Sequence, residues 1–442
     1  MGPPVDPVAA AAAPPAEAEI VIIGGGIIGT TAALYLARRG ISVALCEKGH
    51  IAGEQSSRNW GWVRKARRDP REIPLIVESL RLWEGMNAGI GAETGFRRTG
   101  IVFAAEREAD VARYETWLGH ARPFQIDARI VSGAELARLV PGAEGRSRAA
   151  LYCATDGRAE PQKAAPAIAA AARREGAHIL TGCAVRGLER SAGRVSAVIT
   201  EHGRIACHAV IVAAGAWSRR FLRDLGLTLP QLKVRASVLR TAPIEGAPTA
   251  AYWARDFAFR KRLDGGYNIA NGHVNVVPIV PDSFRFLAAF VPALLSETRS
   301  LKLRPSRRFV QEWREARPVP LDRPSPYEQT RVLDPAPDRN YLRQALDRLK
   351  AAMPAFAEAR VVQEWAGMID VTPDAIPVIS TVEQVPGLVI ATGFSGHGFG
   401  IGPGAGHLAA DLATGAAPIV DPAAFRFSRF SDGTRVRPIA GI

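Results

Sequence analysis

Short, uninterrupted apolar runs mark three places along the chain, at residues 20–23, 208–215 and 388–392. Runs that are apolar at every position predict strands covered on both faces, as in a parallel sheet. Helical periodicity follows the first run from Thr30 to Arg39, where Gly40 ends it, and a second helix is predicted over residues 161–174. The hydrophobic pattern therefore predicts an α/β protein.

Two stretches of different character interrupt this pattern, at residues 96–151 and 229–360, and both are rich in candidate strands and surface helices. They predict a second domain inserted into the first, with residues 1–18 as a disordered Pro/Ala tail. The predicted assignment is as follows: the first, discontinuous domain comprises residues 19–95, 152–228 and 361–430; the second comprises residues 96–151 and 229–360.

Composition adds few functional clues. The chain has 442 residues and a net charge of +13, but only seven of its 56 basic residues are lysines, and no long basic block is present. Dispersed arginines are therefore favoured over nucleic-acid binding. The four cysteines form no CxxC pair, so no metal site is predicted. With no signal peptide and no spanning apolar segment, a cytoplasmic protein is expected.

Residues 283–331 are unusual within the second domain. An apolar run from Phe286 to Leu295 leads into a basic stretch in which Phe309 and Trp313 are interleaved with arginines. This mixture suits an element that lies peripherally on a membrane, such as the inner membrane, or against a partner. A partly buried helix with solvated arginines is the alternative interpretation.

A nucleotide-binding fingerprint follows the first strand. Gly24, Gly26 and Gly29 form GxGxxG between a strand and a helix, and Glu47 ends the next strand. Such glycines allow a pyrophosphate to approach the backbone and the helix N-terminus, and the acidic residue binds ribose hydroxyls. The ligand is predicted to be a dinucleotide, and Glu47 disfavours a 2′-phosphate.

A second glycine-rich segment follows the strand at residues 388–392. Glycine occupies every other position from Gly396 to Gly406, ahead of a helix through Leu412. The run predicts a loop that brings backbone and a helix N-terminus against a flat, electron-rich ligand. A flexible loop is the alternative.

Together these motifs resemble the D-amino-acid oxidase superfamily of flavoenzymes. The resemblance is carried by the fingerprint with Glu47, the loop at residues 53–62, the turn at residues 215–218 and the segment at residues 393–399. Further segments, including residues 51–58, 183–187 and 326–331, resemble the bacterial L-amino-acid deaminases. The resemblance implies a Rossmann-like FAD-binding domain, an inserted α+β substrate domain with a mixed antiparallel sheet, and an amino-acid substrate.

The resemblance also implies particular site residues. Arg260 would grip the substrate carboxylate, His397 would hydrogen-bond the flavin or the substrate unless it is simply packed in its loop, and Phe399 would lie at the reaction site. The FAD-binding residues would be Gly24, Gly26, Ile28, Gly29, Glu47, Lys48, Ser56, Ser57, Arg58, Val185, Ala214, Gly215, Trp217, Gly396, Gly398, Phe399 and Gly400.

Departures from the family patterns leave substrate and acceptor open. His397 stands where the deaminases have tryptophan, a pattern similar to sarcosine oxidases and D-amino-acid dehydrogenases. Residues 365–372 contain no cysteine for covalent attachment, so FAD is expected to be noncovalent. Asn268 stands where sarcosine oxidases have an oxygen-activating lysine, which favours a dehydrogenase. Quinone, an electron-transfer partner and oxygen all remain candidate acceptors.

The expected reaction is oxidative deamination through hydride transfer from Cα to flavin N5, which gives an imine that hydrolyses to a keto acid. The alternatives are an oxygen-using amine oxidase similar to sarcosine and glycine oxidases, and the FAD subunit of a hetero-oligomeric amino-acid or opine dehydrogenase. A serine hydrolase is disfavoured, because His397 replaces the last glycine of Gly-x-Ser-x-Gly around Ser395.

Overall fold

The computed structural model describes residues 2–296 and 301–439, and its secondary structure alternates strands and helices. The helices are α1 (Ile27–Arg38), α2 (Gln55–Arg58), α3 (Ile73–Ile90), α4 (Glu108–Ala121), α5 (Gly133–Leu139), α6 (Pro161–Arg174), α7 (Ser218–Asp224), α8 (Pro281–Arg285), α9 (Leu287–Ser296), α10 (Arg308–Arg314), α11 (Pro326–Gln329), α12 (Arg339–Ala352) and α13 (Gly398–Thr414).

The strands of the described residues fall into four sheets. They are β1 (Ile20–Ile23), β2 (Val43–Cys46), β3 (Trp62–Val63), β4 (Arg97–Arg98), β5 (Ile101–Ala105), β6 (Ala128–Ser132), β7 (Ala149–Cys153), β8 (Gly157–Arg158), β9 (His178–Leu180), β10 (Val185–Ser191), β11 (Arg194–Thr200), β12 (Gly203–Ala206), β13 (Ala209–Val212), β14 (Leu232–Thr241), β15 (Ala251–Trp253), β16 (Ala258–Lys261), β17 (Tyr267–Ala270), β18 (Asn275–Ile279), β19 (Leu301–Pro305), β20 (Val361–Val371), β21 (Val378–Thr381) and β22 (Leu388–Thr392).

The three apolar runs form the centre of a six-stranded sheet with the order β21-β22-β13-β1-β2-β9. β1 pairs in parallel with β13 and β2, and only β21 runs antiparallel. Every residue of β1, β2, β13 and β22 is buried, because helices cover one face of the sheet and the β10-β11-β12 sheet with α7 packs on the other. The predicted α/β class and the strand positions are confirmed.

The second sheet has ten strands, with β5, β6 and β7 at one end and β14 to β19 at the other. Most pairs are antiparallel, while β15 pairs in parallel with β5 and β18 with β19. The mixed sheet of the inserted region is confirmed. One boundary differs from the sequence assignment, because β20 pairs along β14 and so belongs to this sheet.

The N-terminal segment differs from the predicted disordered tail. Residues 2–18 lie in extended contact with the protein, and the Ala11 amide donates to the Ile179 carbonyl over 2.7 Å. Val5 and Val8 pack against the core of the first sheet. The segment is ordered because its apolar positions find a surface on which to pack.

The glycine run at residues 396–406 also differs from the prediction, since residues 398–406 form the first turns of α13 rather than a loop. A Cβ on Gly402 would lie 2.7 Å from the Ile27 side chain, and one on Gly406 would lie 2.6 Å from the Ile28 carbonyl oxygen. These glycines therefore serve close packing of α13 on α1. The helix N-terminus accordingly lies at Gly398.

Residues 281–314 form an outer corner beside β18. Several large apolar side chains here are exposed, among them Phe284, Leu295 and Trp313 at 65, 71 and 62%. Phe284 packs edge-on against Phe309, which joins α8 to α10. Residues 297–300 of the predicted docking element lie outside the described residues. The described part of the chain has no helix long and apolar enough to cross a membrane.

Candidate active site

A cavity of about 360 Å³ lies between the two large sheets. One end is lined by the fingerprint turn, Glu47 and Val185, and the other end is lined by Trp60, Trp253 and the start of α13. The carboxyl ends of β1, β2, β13 and β22 supply the first wall, which is where open parallel sheets bind ligands. The cavity therefore connects a nucleotide-type subsite with a chamber beneath the second sheet.

The fingerprint turn leaves no room for side chains. A Cβ on Gly24 would lie 2.4 Å from the Ala213 carbonyl oxygen, and Gly24 has a φ of +113° that disfavours other residues. The amides of Ile28 and Gly29 have no acceptor within residues 2–296 and 301–439. Ile28 lines the cavity, whereas the predicted Gly29 lies outside the lining. Free amides at the start of a helix form a ready site for a pyrophosphate.

Glu47 stands at the end of β2, as predicted. One carboxylate oxygen accepts from the Gly25 amide and the other from the Gly49 amide, both at 2.7 Å. Burial raises the pKa of Glu47, while Lys48 and these amides oppose that rise. The carboxylate keeps lone pairs for two ribose hydroxyls, because each oxygen accepts more than one hydrogen bond.

The segment at residues 53–58, which includes α2, holds its predicted residues in different ways. Ser56 caps α1, since its hydroxyl accepts from the Ile27 amide over 2.9 Å, and it lines the cavity. Arg58 also lines the cavity, but its guanidinium is bound to Asp334 and to the Ala366 carbonyl. Ser57 is buried outside the cavity lining, which contradicts its prediction as an FAD-binding residue.

Lys48, Glu54 and Trp217 form a wall at the nucleotide end. Lys48 Nζ donates to Glu54 over 2.8 Å and lies 4.5 Å from the centre of the Trp217 ring, whose Nε1 donates to the same carboxylate. Ala214 and Gly215 continue this wall. The predicted residues of this group, together with Val185, thus all line the cavity.

At the other end, Gly396, Gly398 and Phe399 line the cavity where α13 begins. The amides of Gly398, Phe399 and Gly400 lack acceptors in the described part of the chain, which suits partial negative charge on a ring system. Gly400 itself lies behind the lining, because its Cβ position would be 3.1 Å from the Trp62 carbonyl oxygen. Phe399 also packs on Trp83, with ring centres 5.4 Å apart.

Arg260 does not reach the cavity, contrary to the sequence prediction. Its side chain is fully buried, donates to Glu160 Oε1 over 2.7 Å and Oε2 over 3.3 Å, and donates to the Trp60 carbonyl. A guanidinium already matched to a carboxylate has no free fork for a substrate. Asn268 likewise lies outside the lining, bound to Arg262, so the argument that it favours a dehydrogenase loses its basis.

Two arginines that the sequence analysis missed line the chamber, namely Arg64 and Arg68. Arg64 is 8% exposed, donates only to the Ala66 and Arg67 carbonyls, and makes no salt bridge with any described residue. Burial, followed by the cations Arg68 and Arg67, holds the pKa of Arg64 well below its ordinary value. A buried cation without a carboxylate partner calls for an anionic ligand.

The loop that carries Arg64 is fixed by hydrogen bonds to Asp156. Asp156 accepts from the Lys65 amide over 2.7 Å and from the Ala66 amide over 3.2 Å, and Arg67 adopts a left-handed φ of +57°. Backbone held in that region is strained and persists only where neighbours fix it. The run Arg64-Lys-Ala-Arg-Arg was the available sequence signal, but it could not show which side chain faces inward.

Aromatic rings surround Arg64. The centres of Trp60, Trp62 and Trp253 lie 5.2 to 5.6 Å apart in edge-on contacts. The Arg64 guanidinium lies 5.9 Å from the centre of the Trp253 ring and 5.6 Å from that of Phe103. The chamber thus combines one unpaired cation with an aromatic wall of low polarity that strengthens its attraction for an anion.

FAD fits this cavity by the chemistry of its lining. Unpartnered amides at the start of α1 suit the pyrophosphate, Glu47 suits a ribose, and the unpartnered amides at the start of α13 suit the flavin ring. The fold and the site together define an FAD-dependent oxidoreductase.

Comparison with known proteins agrees with the assignment to the FAD-dependent oxidoreductases. The family described as "DAO: FAD dependent oxidoreductase" matches residues 19–412. The L-amino acid deaminase from Proteus myxofaciens, solved in complex with anthranilate, is 34% identical with a TM-score of 0.93, covering 98% of this chain and 97% of that one.

Curated relatives are more distant. The sarcosine oxidase subunit beta of Rhizobium meliloti (strain 1021) is 25% identical over 92% of this chain and 86% of its own length. The glycine oxidase of Pseudomonas putida is 26% identical over 90% of this chain and 95% of its own length. The chain belongs to the DAO family of FAD-dependent oxidoreductases, and FAD is its cofactor.

Proposed function

We propose that the protein oxidises the CH–NH or CH–NH2 group of an amino acid or secondary amino acid, and that the resulting imine hydrolyses to a keto acid. The observation that carries this proposal is the buried, unpaired Arg64 in a chamber next to the predicted flavin site. The amino-acid and amine oxidoreductases among the relatives support it.

The chain's own residues bind and orient the reactants. FAD, when bound, supplies the hydride acceptor. Arg64 holds the substrate carboxylate, with Arg68 beside it, and the tryptophans exclude water from the chamber. The amides at the start of α13 stabilise negative charge that develops on the cofactor.

The substrate is identified by anaerobic mixing. Purified, FAD-loaded protein is combined with D-amino acids, L-amino acids and N-alkyl glycines, and loss of flavin absorbance marks a substrate. Keto acid is then assayed in the presence of an acceptor. A flavoprotein that none of these compounds reduces would contradict the proposed function.

A second candidate is an amine oxidase that uses molecular oxygen, similar to sarcosine and glycine oxidases. The positive charges of Arg64 and Arg68 in the chamber favour it, because they would stabilise superoxide. Reoxidation of the reduced protein by oxygen, compared with a quinone, distinguishes this oxidase from a dehydrogenase, including one that works as the FAD subunit of a hetero-oligomer.

We expect FAD to be held noncovalently. Among the described residues, Cys46 is the only cysteine that lines the cavity, and it lies beside Glu47 at the nucleotide end. Met368 stands in the segment where sarcosine oxidases carry their linking cysteine, and it is buried outside the lining. Acid precipitation should release all of the flavin into the supernatant, and yellow colour in the washed pellet would contradict this.

We also propose that residues 281–314 dock peripherally on an anionic membrane surface, such as the cytoplasmic face of the inner membrane. Exposed apolar side chains, including Leu295 and Trp313, occur here, and the described residues of this segment include six basic and two acidic ones. Apolar insertion combined with positive charge is the chemistry of interfacial binding, and each basic residue near the surface contributes about 1 kcal/mol to the binding free energy.

The thiols of all four cysteines are unpaired, which fits a reducing compartment such as the cytoplasm.

Vesicle co-sedimentation tests this docking. The protein should pellet with phosphatidylglycerol vesicles, much less with phosphatidylcholine vesicles, and less at high salt. Trp313→Ser should weaken binding, whereas Val362→Ser, at a 57% exposed position elsewhere, should not. Equal binding by the two variants would show that this corner is not the docking surface.

A further inference from the structure

His397 presents two nitrogens to different surroundings. Its ring lines the cavity with 22% of the side chain exposed, and Nδ1 lies 3.0 Å from Glu72 Oε2. In the described part of the chain, Nε2 has no protein hydrogen-bond partner and is not among the buried unpartnered atoms. One nitrogen is thus held by the protein, and the other is left for a ligand.

Glu72 is a carboxylate in an unusual place. It ends a short turn before α3, is fully buried, and has one oxygen without a protein partner. Arg68 Nη1 lies 3.9 Å from the oxygen that contacts His397. Burying a carboxylate costs several kcal/mol unless charged and polar partners compensate. No motif in the sequence singled out this residue.

The contact determines the tautomer of His397. An ionised carboxylate only accepts hydrogen bonds, so Nδ1 carries the proton and Nε2 of the neutral ring is an acceptor. Burial and Arg68 lower the pKa of His397 to about 4, against the opposing effect of Glu72. Burial opposes ionisation of Glu72, but His397, Arg68 and Arg64 outweigh it and lower its pKa.

We propose that Glu72 is a positioning residue that holds His397 so that Nε2 accepts a hydrogen bond from the amino group of the substrate. The proposal rests on the proposed function, since it needs an amine in the chamber. As the C–H bond of the neutral amine breaks, the hydride passes from Cα to bound FAD, which takes up the two electrons, and the nitrogen lone pair forms the C=N bond. The nitrogen becomes positive, and its proton stays on it.

This arrangement favours the transition state over the bound substrate. The hydrogen bond to Nε2 strengthens as positive charge develops on the nitrogen, and the negative Glu72 behind the ring stabilises that charge. Arg64 at the carboxylate and His397 at the amine would grip the substrate at two points. His397 therefore contacts substrate, whereas Glu72 acts through it.

A double-mutant cycle tests the pair. His397→Phe and Glu72→Gln are each expected to slow flavin reduction at saturating substrate by about tenfold to a hundredfold, as for loss of a hydrogen bond to a charged group. The double variant should be no slower than His397→Phe, because Glu72 acts through His397. Losses that multiply would mean an independent structural role for Glu72 and overturn the proposal.

Two further measurements complete the test. In ¹⁵N-histidine NMR spectra, with and without FAD, His397 should show a protonated Nδ1 and an unprotonated Nε2; the opposite tautomer would overturn the proposal. His397→Phe should leave the flavin absorbance spectrum and reduction potential unchanged, and a shift in either would assign His397 to the flavin. His407→Phe, within α13 and stacked on Tyr35, is the control and should retain the wild-type rate.

The outcomes separate the two proposals. If no amine or amino acid reduces the wild-type flavin, the proposed function fails, while the NMR spectra still report the tautomer. If a substrate reduces the flavin and His397→Phe keeps the rate within about twofold, the proposed function stands and the role of the dyad is overturned.

Discussion

Replacing Arg64 with methionine should lower kcat/KM for the amino-acid substrate by about 30-fold to several thousandfold, because truncating one partner of a buried charge pair costs about 2 to 5 kcal/mol. In this variant the substrate carboxylate would enter a chamber that is lined by tryptophans and has lost the guanidinium that binds it. The ratio of flavin to protein should remain that of the wild type. Arg64→Lys should be intermediate, since it keeps the charge but loses the planar fork.

Arg260→Met is the informative comparison. This change leaves the buried Glu160 without its bidentate partner, so we expect a loss of about 3 to 5 kcal/mol in the free energy of unfolding. Arg285→Met, at a 64% exposed side chain, should alter neither activity nor stability. Unchanged kcat/KM in Arg64→Met, with reduced kcat/KM and unchanged stability in Arg260→Met, would restore Arg260 as the carboxylate anchor.

The second large effect is expected from Gly29→Ala, which should leave the purified protein largely free of FAD. A Cβ at this position would lie 2.0 Å from the Gly24 carbonyl oxygen, so the turn must open. Overpacking of this kind costs about 1 to 3 kcal/mol, and it moves the free amides away from the pyrophosphate. Flavin absorbance per protein and FAD titration measure the loss.

Gly85→Ala provides the matched control. Gly85 lies within α3, where an added Cβ meets no atom within 4 Å and the backbone is helical. Alanine is the better helix former, so this variant should bind FAD normally and melt at the same temperature or higher. Full FAD occupancy in Gly29→Ala would show that the turn tolerates a side chain and that its glycines do not set the cofactor site.

Local sequence patterns were sufficient to predict the residues at the nucleotide end of the site. The strand at residues 20–23, the fingerprint glycines and Glu47 are close in sequence, and a strand–turn–helix unit positions them with little help from the rest of the chain. The all-apolar β13 and β22 were predicted for the same reason, because burial on both faces leaves a visible pattern.

The glycine run shows where local reasoning failed. Alternate glycines are typical of loops when only propensity is considered, since each costs about 1 kcal/mol in a helix relative to alanine. In the structure, contacts of Gly402 and Gly406 with α1 make any larger residue too bulky. Tertiary packing therefore overrode propensity, and it moved the start of α13 to Gly398, beside the cavity.

The sequence by itself determined the class of fold, the dinucleotide fingerprint and the family resemblance, because these depend on patterns within short segments. Only the tertiary structure decided which charges remain unpaired. Arg260 and Glu160 are 100 residues apart and neutralise each other, while Arg64 is left with no carboxylate partner among the described residues. His397 and Glu72, 325 residues apart, meet because α13 packs against α3. Pairing and burial of charges depend on contacts between distant segments, so no local pattern records them.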